Sequence, residues 1–209
     1  MRLSLPAFLG FVLVCAPIHA DVVFTNLTSP TASGGFAVCG NSAAPCGGFS
    51  FSLGAAFTPS ANYLMTEAQV QTFANGGADS NFDAFLYSNS GGVPGTEIAD
   101  LGSGTAPAYG GGPNIITPGS PIGLTSGIEY WLVLTPVDAN SSLAWEDGGI
   151  ASVPIANSRN GGAFSPSTDN IQFEIDGTPL TATPEPVVSW FLAAALCAGV
   201  IIFRKWRVQ

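Results

Sequence analysis

Residues 171–176 of this 209-residue chain read Ile-Gln-Phe-Glu-Ile-Asp, so apolar and polar side chains alternate without a break. A period of two is typical of a β-strand that turns one face to a core and the other to water. Phe49–Leu53 alternates in the same way, and residues 81–88 place Phe82, Ala84 and Leu86 on one face. These three stretches predict an all-β fold.

A fourth strand is predicted at residues 128–134, where Ile128, Tyr130, Leu132 and Leu134 share a face and Trp131 points the other way. Weaker strand patterns occur at residues 22–24, 63–73, 96–101 and 143–145. Turn sequences rich in Gly and Pro separate these stretches. About eight or nine short strands with such turns predict a jelly-roll-like β-sandwich.

The N-terminus has the three parts of a secretory signal. Arg2 precedes an apolar run over residues 3–14, and a cleavage-like end follows that closes at Ala20. The run is too short to span a membrane. Residues 1–20 are therefore predicted to be a signal peptide, with an uncleaved N-terminal anchor as the alternative.

The C-terminus predicts a membrane helix. Residues 187–203 carry no charge, and a helix of that length spans about 26 Å, just enough for the hydrocarbon core. Arg204, Lys205 and Arg207 follow at once and predict a cytoplasmic end, because cations beside a span favour that side. A buried core helix is the alternative, but almost no chain remains beyond it to cover it.

A proline-rich hinge, Pro184-Glu185-Pro186, precedes this span. Proline fixes φ and keeps the preceding residue extended, so the hinge should be an exposed peptide at the membrane surface. Hinge, span and basic cluster in this order resemble the PEP-CTERM sorting domain over about residues 183–207, although Thr183 replaces the usual Val. The resemblance implies an inner-membrane precursor in a Gram-negative bacterium, processed by an exosortase and exported to the surface or to an exopolysaccharide biofilm.

The resulting organisation is a signal peptide at 1–20, a β-sandwich ectodomain at 21–182 and a sorting tail at 183–209, with the helix at about 187–203 and a basic tail at 204–209. The body resembles the choice-of-anchor R domain. This second resemblance rests on residues 82–88, 92–96 and 129–134. It implies an extracellular β domain and no known catalytic site.

Charge excludes several function classes. Between Asp21 and Glu185 there are 14 carboxylates and one cation, Arg159, which gives 14 − 1 = 13 net negative charges. Nucleic acids are bound through basic surfaces, so no nucleic-acid partner is predicted. The sole His, His19, lies in the signal, which excludes His-based catalysis and His-ligated metals from the body. No cofactor is predicted.

Two of the four cysteines, Cys39 and Cys46, lie in the body. An exported compartment is oxidising, so a structural disulfide is predicted. A redox or metal pair is the alternative, but a metal would need two further ligands.

Three other patterns suggest ligands. Asp79, Asn81 and Asp83 alternate like the oxygen ligands of a Ca²⁺ loop, but Ala84 and Ser90 stand where an EF-hand needs Gly and Glu. An acidic turn at residues 146–149 offers a second cation candidate. Trp131 and Trp145 could stack on sugar rings, although burial in the core is the favoured interpretation.

The sequence therefore predicts a non-catalytic exported protein with a structural or adhesive role, and extracellular polysaccharide as a partner. A carbohydrate-binding module is the alternative. A glycosidase is a third interpretation, which requires two facing carboxylates in one pocket.

Overall fold

The computed structural model describes residues 20–28, 34–76, 79–148 and 150–180, and within these ranges the fold is all-β. The strands, numbered in chain order, are β1 Asp21–Thr25, β2 Gly35–Cys39, β3 Phe51–Phe57, β4 Tyr63–Val70, β5 Thr72–Ala74, β6 Asn81–Asn89, β7 Pro94–Thr105, β8 Asn114–Ile116, β9 Ile122–Leu124, β10 Tyr130–Pro136, β11 Ser142–Glu146, β12 Val153–Arg159, β13 Ser165–Asp169 and β14 Phe173–Pro179. A short 3₁₀ helix covers Ala44–Cys46.

Two antiparallel sheets form the β-sandwich. The smaller sheet has the order β1-β14-β4-β8, and β9 also pairs with β4. The larger sheet has the order β5-β11-β2-β3-β10-β6-β7. Outside this order, β12 also pairs with β3 and carries β13. The sandwich predicted from the sequence is confirmed at this level.

The core lies between the sheets and draws on both of them. Met65, Phe173 and Ile175 of the smaller sheet and Leu53 and Leu132 of the larger sheet belong to one buried cluster. The alternation holds within β14, where Phe173 and Ile175 are buried and Glu174 and Asp176 are half-buried. Gln172, just before the strand, was expected on the polar face but is also buried.

The stretch at 63–73, predicted as one strand, is two strands in different sheets. β4 belongs to the smaller sheet and β5 to the larger. Gln71 lies between them, and its backbone N–H donates to Gln172 O while its carbonyl accepts from Glu146 N. The chain therefore crosses between the sheets at Gln71. Both backbone groups of Gln71 are hydrogen-bonded there, one to the residue before β14 and the other to the last residue of β11.

Five strands lack a sequence prediction: β2, β8, β9, β12 and β13. Strand β13 lies at an edge and consists of polar residues and proline, so it has no apolar alternation. Strand β12 contains Pro154, which normally argues against a strand interior. The described ranges contain 14 strands, more than the predicted eight or nine. Strands β5, β8 and β9 have only three residues each, which is too few for a clear alternation in the sequence.

In the described ranges no helix is long and apolar enough to cross a membrane. The predicted span at 187–203, the hinge residues Pro184, Glu185 and Pro186, and the basic residues Arg204, Lys205 and Arg207 lie outside those ranges. The signal segment lies outside them too, apart from Ala20.

Candidate functional site

The predicted disulfide joins the end of β2 to the 3₁₀ helix. Cys39 and Cys46 are bonded, with their Cα atoms 6.4 Å apart. Both are buried in a small apolar cluster with Ala43, against which Phe51 of β3 packs. The bridge therefore fixes the loop between β2 and β3 and supports the ring of Phe51.

That ring belongs to the wall of an open cleft of about 280 Å³. The cleft is formed by strands β2, β3, β12 and β13, and its lining residues are Phe36, Ala37, Phe51, Leu53, Ile155, Asn157 and Ser167. Leu53 and Ile155 are buried and form apolar surface that continues into the core.

The cleft combines an apolar lining with a few polar groups. Phe36 and Phe51 are half-buried, whereas Asn157 and Ser167 are exposed. Small-molecule sites commonly have this composition, an apolar lining with a small number of polar groups that fix orientation. None of the seven lining residues is a carboxylate, His or Cys, so these side chains can bind a ligand but provide no acid–base pair.

Arg159, the last residue of β12, lies next to this cleft. Arg159 pairs in register with Phe51 of β3. The Arg159 Cζ lies 3.2 Å from the centroid of the Phe49 ring. The turn that follows is fixed by Asn160, which has φ 52°, donates its N–H to Ser50 O and accepts a bond from Ser50 N on its side-chain oxygen. The end of β12 is thereby tied to the start of β3.

The two tryptophans suggested for sugar stacking do not form this site. Trp131 and Trp145 are both 0% exposed, so neither presents a ring face to a ligand, and their stacking role is corrected to a core role. The Trp145 Nε1–H donates to Gln172 O at 2.8 Å inside the sandwich. Trp131 lies on the outer face of the larger sheet in a second apolar cluster with Ala56 and Val133.

The three residues of the Ca²⁺-loop pattern bind hydroxyl groups of three different residues. Asp79 accepts from Ser141 Oγ at 2.6 Å, Asn81 from Thr105 Oγ1 at 2.7 Å and Asp83 from Ser103 Oγ at 2.6 Å. In the described part of the chain no group of three or more His, Cys, Asp or Glu residues could hold a metal ion. Each of the three side chains therefore has a hydroxyl partner within the protein, as polar side chains on the surface of a sheet commonly do.

Glu146, the first residue of the predicted acidic turn, is the last residue of β11 and a buried carboxylate. It is 1% exposed, and its Oε1 has no hydrogen-bond partner. Burial raises the pKa of Glu146, the neighbouring Asp147 raises it further, and a hydrogen bond from Gln71 opposes the shift. The folded protein therefore holds this proton more tightly than the unfolded chain.

Replacement of Glu146 with Gln is expected to stabilise the protein at neutral pH. Because the pKa of the folded state is raised above 4.5, the carboxylate destabilises the fold progressively as pH rises from about 4.5 through the folded pKa. Removing a buried, incompletely bonded charge should raise the free energy of unfolding at pH 7 by about 1 kcal/mol. At pH values below 4.5 the gain should vanish.

Urea unfolding of both proteins at neutral and acidic pH measures this effect. Glu97→Gln, which removes an exposed carboxylate from β7, is the matched control and should change little at either pH. A Glu146→Gln protein that is less stable than the parent at pH 7 would show that the carboxylate is needed in its ionised form.

The cleft residues escaped the sequence analysis because they are distant in the chain. Phe51 has the alternation of β3, but nothing in the sequence predicts that β2 and β12 leave its ring accessible. The sequence distinguishes Arg159 only as the one cation of the body. Its position next to Phe51 follows from the register of β12 on β3.

These observations define the class of the protein as an all-β sandwich with a disulfide-supported cleft. No protein-family model matches the chain. No curated protein sequence matches it either. The two family resemblances therefore stand on the quoted residues alone.

Proposed function

We propose that this chain is an exported, non-catalytic surface or extracellular-matrix protein with a structural or adhesive role. The observation that carries the proposal is the Cys39–Cys46 disulfide, because such bridges persist in oxidising compartments and are rare in the cytosol. The apolar cleft without carboxylates supports a binding role over a hydrolytic one.

Export is proposed through the two ends of the chain. The signal at 1–20 directs the body across the inner membrane, and the helix at about 187–203 anchors the precursor there with a periplasmic body. An exosortase then processes the tail near Pro184, Glu185 and Pro186, and the product reaches the cell surface or the extracellular matrix. The resemblance to the PEP-CTERM sorting domain supports this route. For the body, the proposal also includes a jelly-roll-like connection of the strands.

Replacing the hinge Pro184-Glu185-Pro186 with three alanines tests this route. The substitution should leave the full-length precursor in the inner membrane fraction, because the extended, protease-accessible peptide is lost. Western blotting of membrane and medium fractions gives the result. Release identical to that of the parent chain would contradict processing at this hinge.

Carbohydrate binding is the second candidate, and the cleft is the observation that favours it. Aromatic rings offer apolar faces against which the C–H face of a sugar packs, while Asn157 and Ser167 offer hydrogen bonds for hydroxyl groups. Phe36 and Phe51 thereby take the place that the sequence analysis gave to Trp131 and Trp145.

Phe36→Ala should weaken glycan binding by about tenfold, the effect expected from losing roughly 1.4 kcal/mol of apolar contact. Phe85→Ala is the matched control, because Phe85 is also half-buried but lies on β6, away from the cleft. Affinity electrophoresis in gels that contain the exopolysaccharide of the producing cell measures both variants. Equal retardation of the two would contradict a role for the cleft.

A further inference from the structure

The only cation of the body borders the cleft. Arg159 follows Asn157 by two residues on β12, so the two side chains share a face of the sheet. Asn157 lines the cleft, and so does Phe51, the register partner of Arg159. The guanidinium is therefore placed at the end of the cleft where Phe51 lies.

Aromatic rings hold this guanidinium in place. Its Cζ lies 3.2 Å from the centroid of the Phe49 ring and 6.0 Å from that of Phe51. Within the described ranges no carboxylate forms a salt bridge with Arg159, although the body contains 14. A guanidinium that packs on a ring can still donate its N–H groups in the plane, in the two-pronged pattern that matches a carboxylate.

We propose that the cleft binds a uronic acid unit, with the pyranose ring against Phe36 and Phe51 and the carboxylate on Arg159. This inference rests on the carbohydrate-binding candidate above and adds the acidic group. The volume of about 280 Å³ lies near the lower limit of about 300 Å³ for small-molecule pockets, which suits one sugar ring. Asn157 and Ser167 provide hydrogen-bond partners for ring hydroxyls.

The negative charge of the body limits the form of this ligand. A net charge of 14 − 1 = 13 negative units between Asp21 and Glu185 repels long polyanions. At physiological ionic strength the Debye length is about 8 Å, so distant carboxylates are screened far more than a contact pair at Arg159. A short acidic oligosaccharide is therefore the ligand that the site should bind best.

Isothermal titration calorimetry of the purified full chain with tri-galacturonate and with its neutral methyl ester tests the proposal. The titrations contain a chelator throughout, which removes divalent-cation bridges between carboxylates. The acid should bind about tenfold more tightly than the ester, or better, because a hydrogen-bonded charge pair is lost in the ester. Arg159→Gln should abolish this preference, so that acid and ester bind with equal affinity.

Arg159→Lys should retain part of the preference, since it keeps the charge and loses the two-pronged donor. Thermal unfolding checks that both variants fold, as expected for an exposed side chain. Equal affinities for acid and ester would overturn the acidic-sugar proposal while carbohydrate binding stands, and so would a preference that survives in Arg159→Gln. Acid binding that is absent with the chelator and appears only in a separate titration with Ca²⁺ and no chelator would overturn it too. Absence of binding to both ligands and to neutral glycans would overturn both.

Discussion

Trp145→Ala is expected to lower the free energy of unfolding by about 3–5 kcal/mol, the range for removing a large aromatic side chain from a core. Trp145 is 0% exposed and lies on β11 of the larger sheet. Its ring meets that of Phe173, on β14 of the smaller sheet, in an edge-to-face arrangement with centroids 6.1 Å apart. The substitution also removes the Nε1–H bond to Gln172 O.

Urea unfolding followed by circular dichroism measures this loss. Trp145→Phe keeps most of the apolar area and should cost clearly less than Trp145→Ala. Ile128→Ala truncates a side chain that is 50% exposed and should change stability by at most about 0.5 kcal/mol. A Trp145→Ala protein with parental stability and no glycan affinity would contradict the core role and restore the stacking interpretation.

Replacing both Cys39 and Cys46 with alanine is expected to cost about 2.5 kcal/mol of unfolding free energy. The bridge closes a loop with a sequence separation of 7, and the chain-entropy model gives this value for a loop of that size. Alanine keeps the buried positions apolar, so the loss reports mainly on the cross-link. Because Phe51 packs against the bridge, glycan affinity at the cleft should fall as well.

The same denaturant titrations with and without reductant provide the control for the disulfide. The parent protein in reductant should approach the stability of the double variant, whereas the double variant should not respond. Equal unfolding free energies for the parent and the double variant under oxidising conditions would show that the bridge does not stabilise the fold.

The parts of the fold predicted from the sequence are those in which one face of a strand meets the core. Phe82, Ala84 and Leu86 are buried as the alternation of β6 requires, and Trp131 lies opposite Tyr130 as predicted. Ile128 was placed on the face of Tyr130, and this was wrong, because β10 begins at Tyr130 and Ile128 is half exposed. Alternation thus identifies strand interiors better than strand ends.

The candidate site could not be predicted because it depends on strand register. Cys39 and Cys46 are close in sequence, so their bridge followed from local spacing and compartment. The cleft instead requires Phe36 of β2 and Phe51 of β3 to lie near Asn157 of β12, which depends on which edge of β3 each strand joins. The buried state of Glu146 also depends on tertiary contacts, since its sequence context is that of an acidic turn.

Mass spectrometry of the protein isolated from its own cells tests the central proposal, export and processing, most directly. The account predicts a released form that begins at Asp21, ends near the hinge at residues 184–186 and contains Cys39 bonded to Cys46. An intact chain from Met1 to Gln209 in the cytosol, with both thiols reduced, would contradict it.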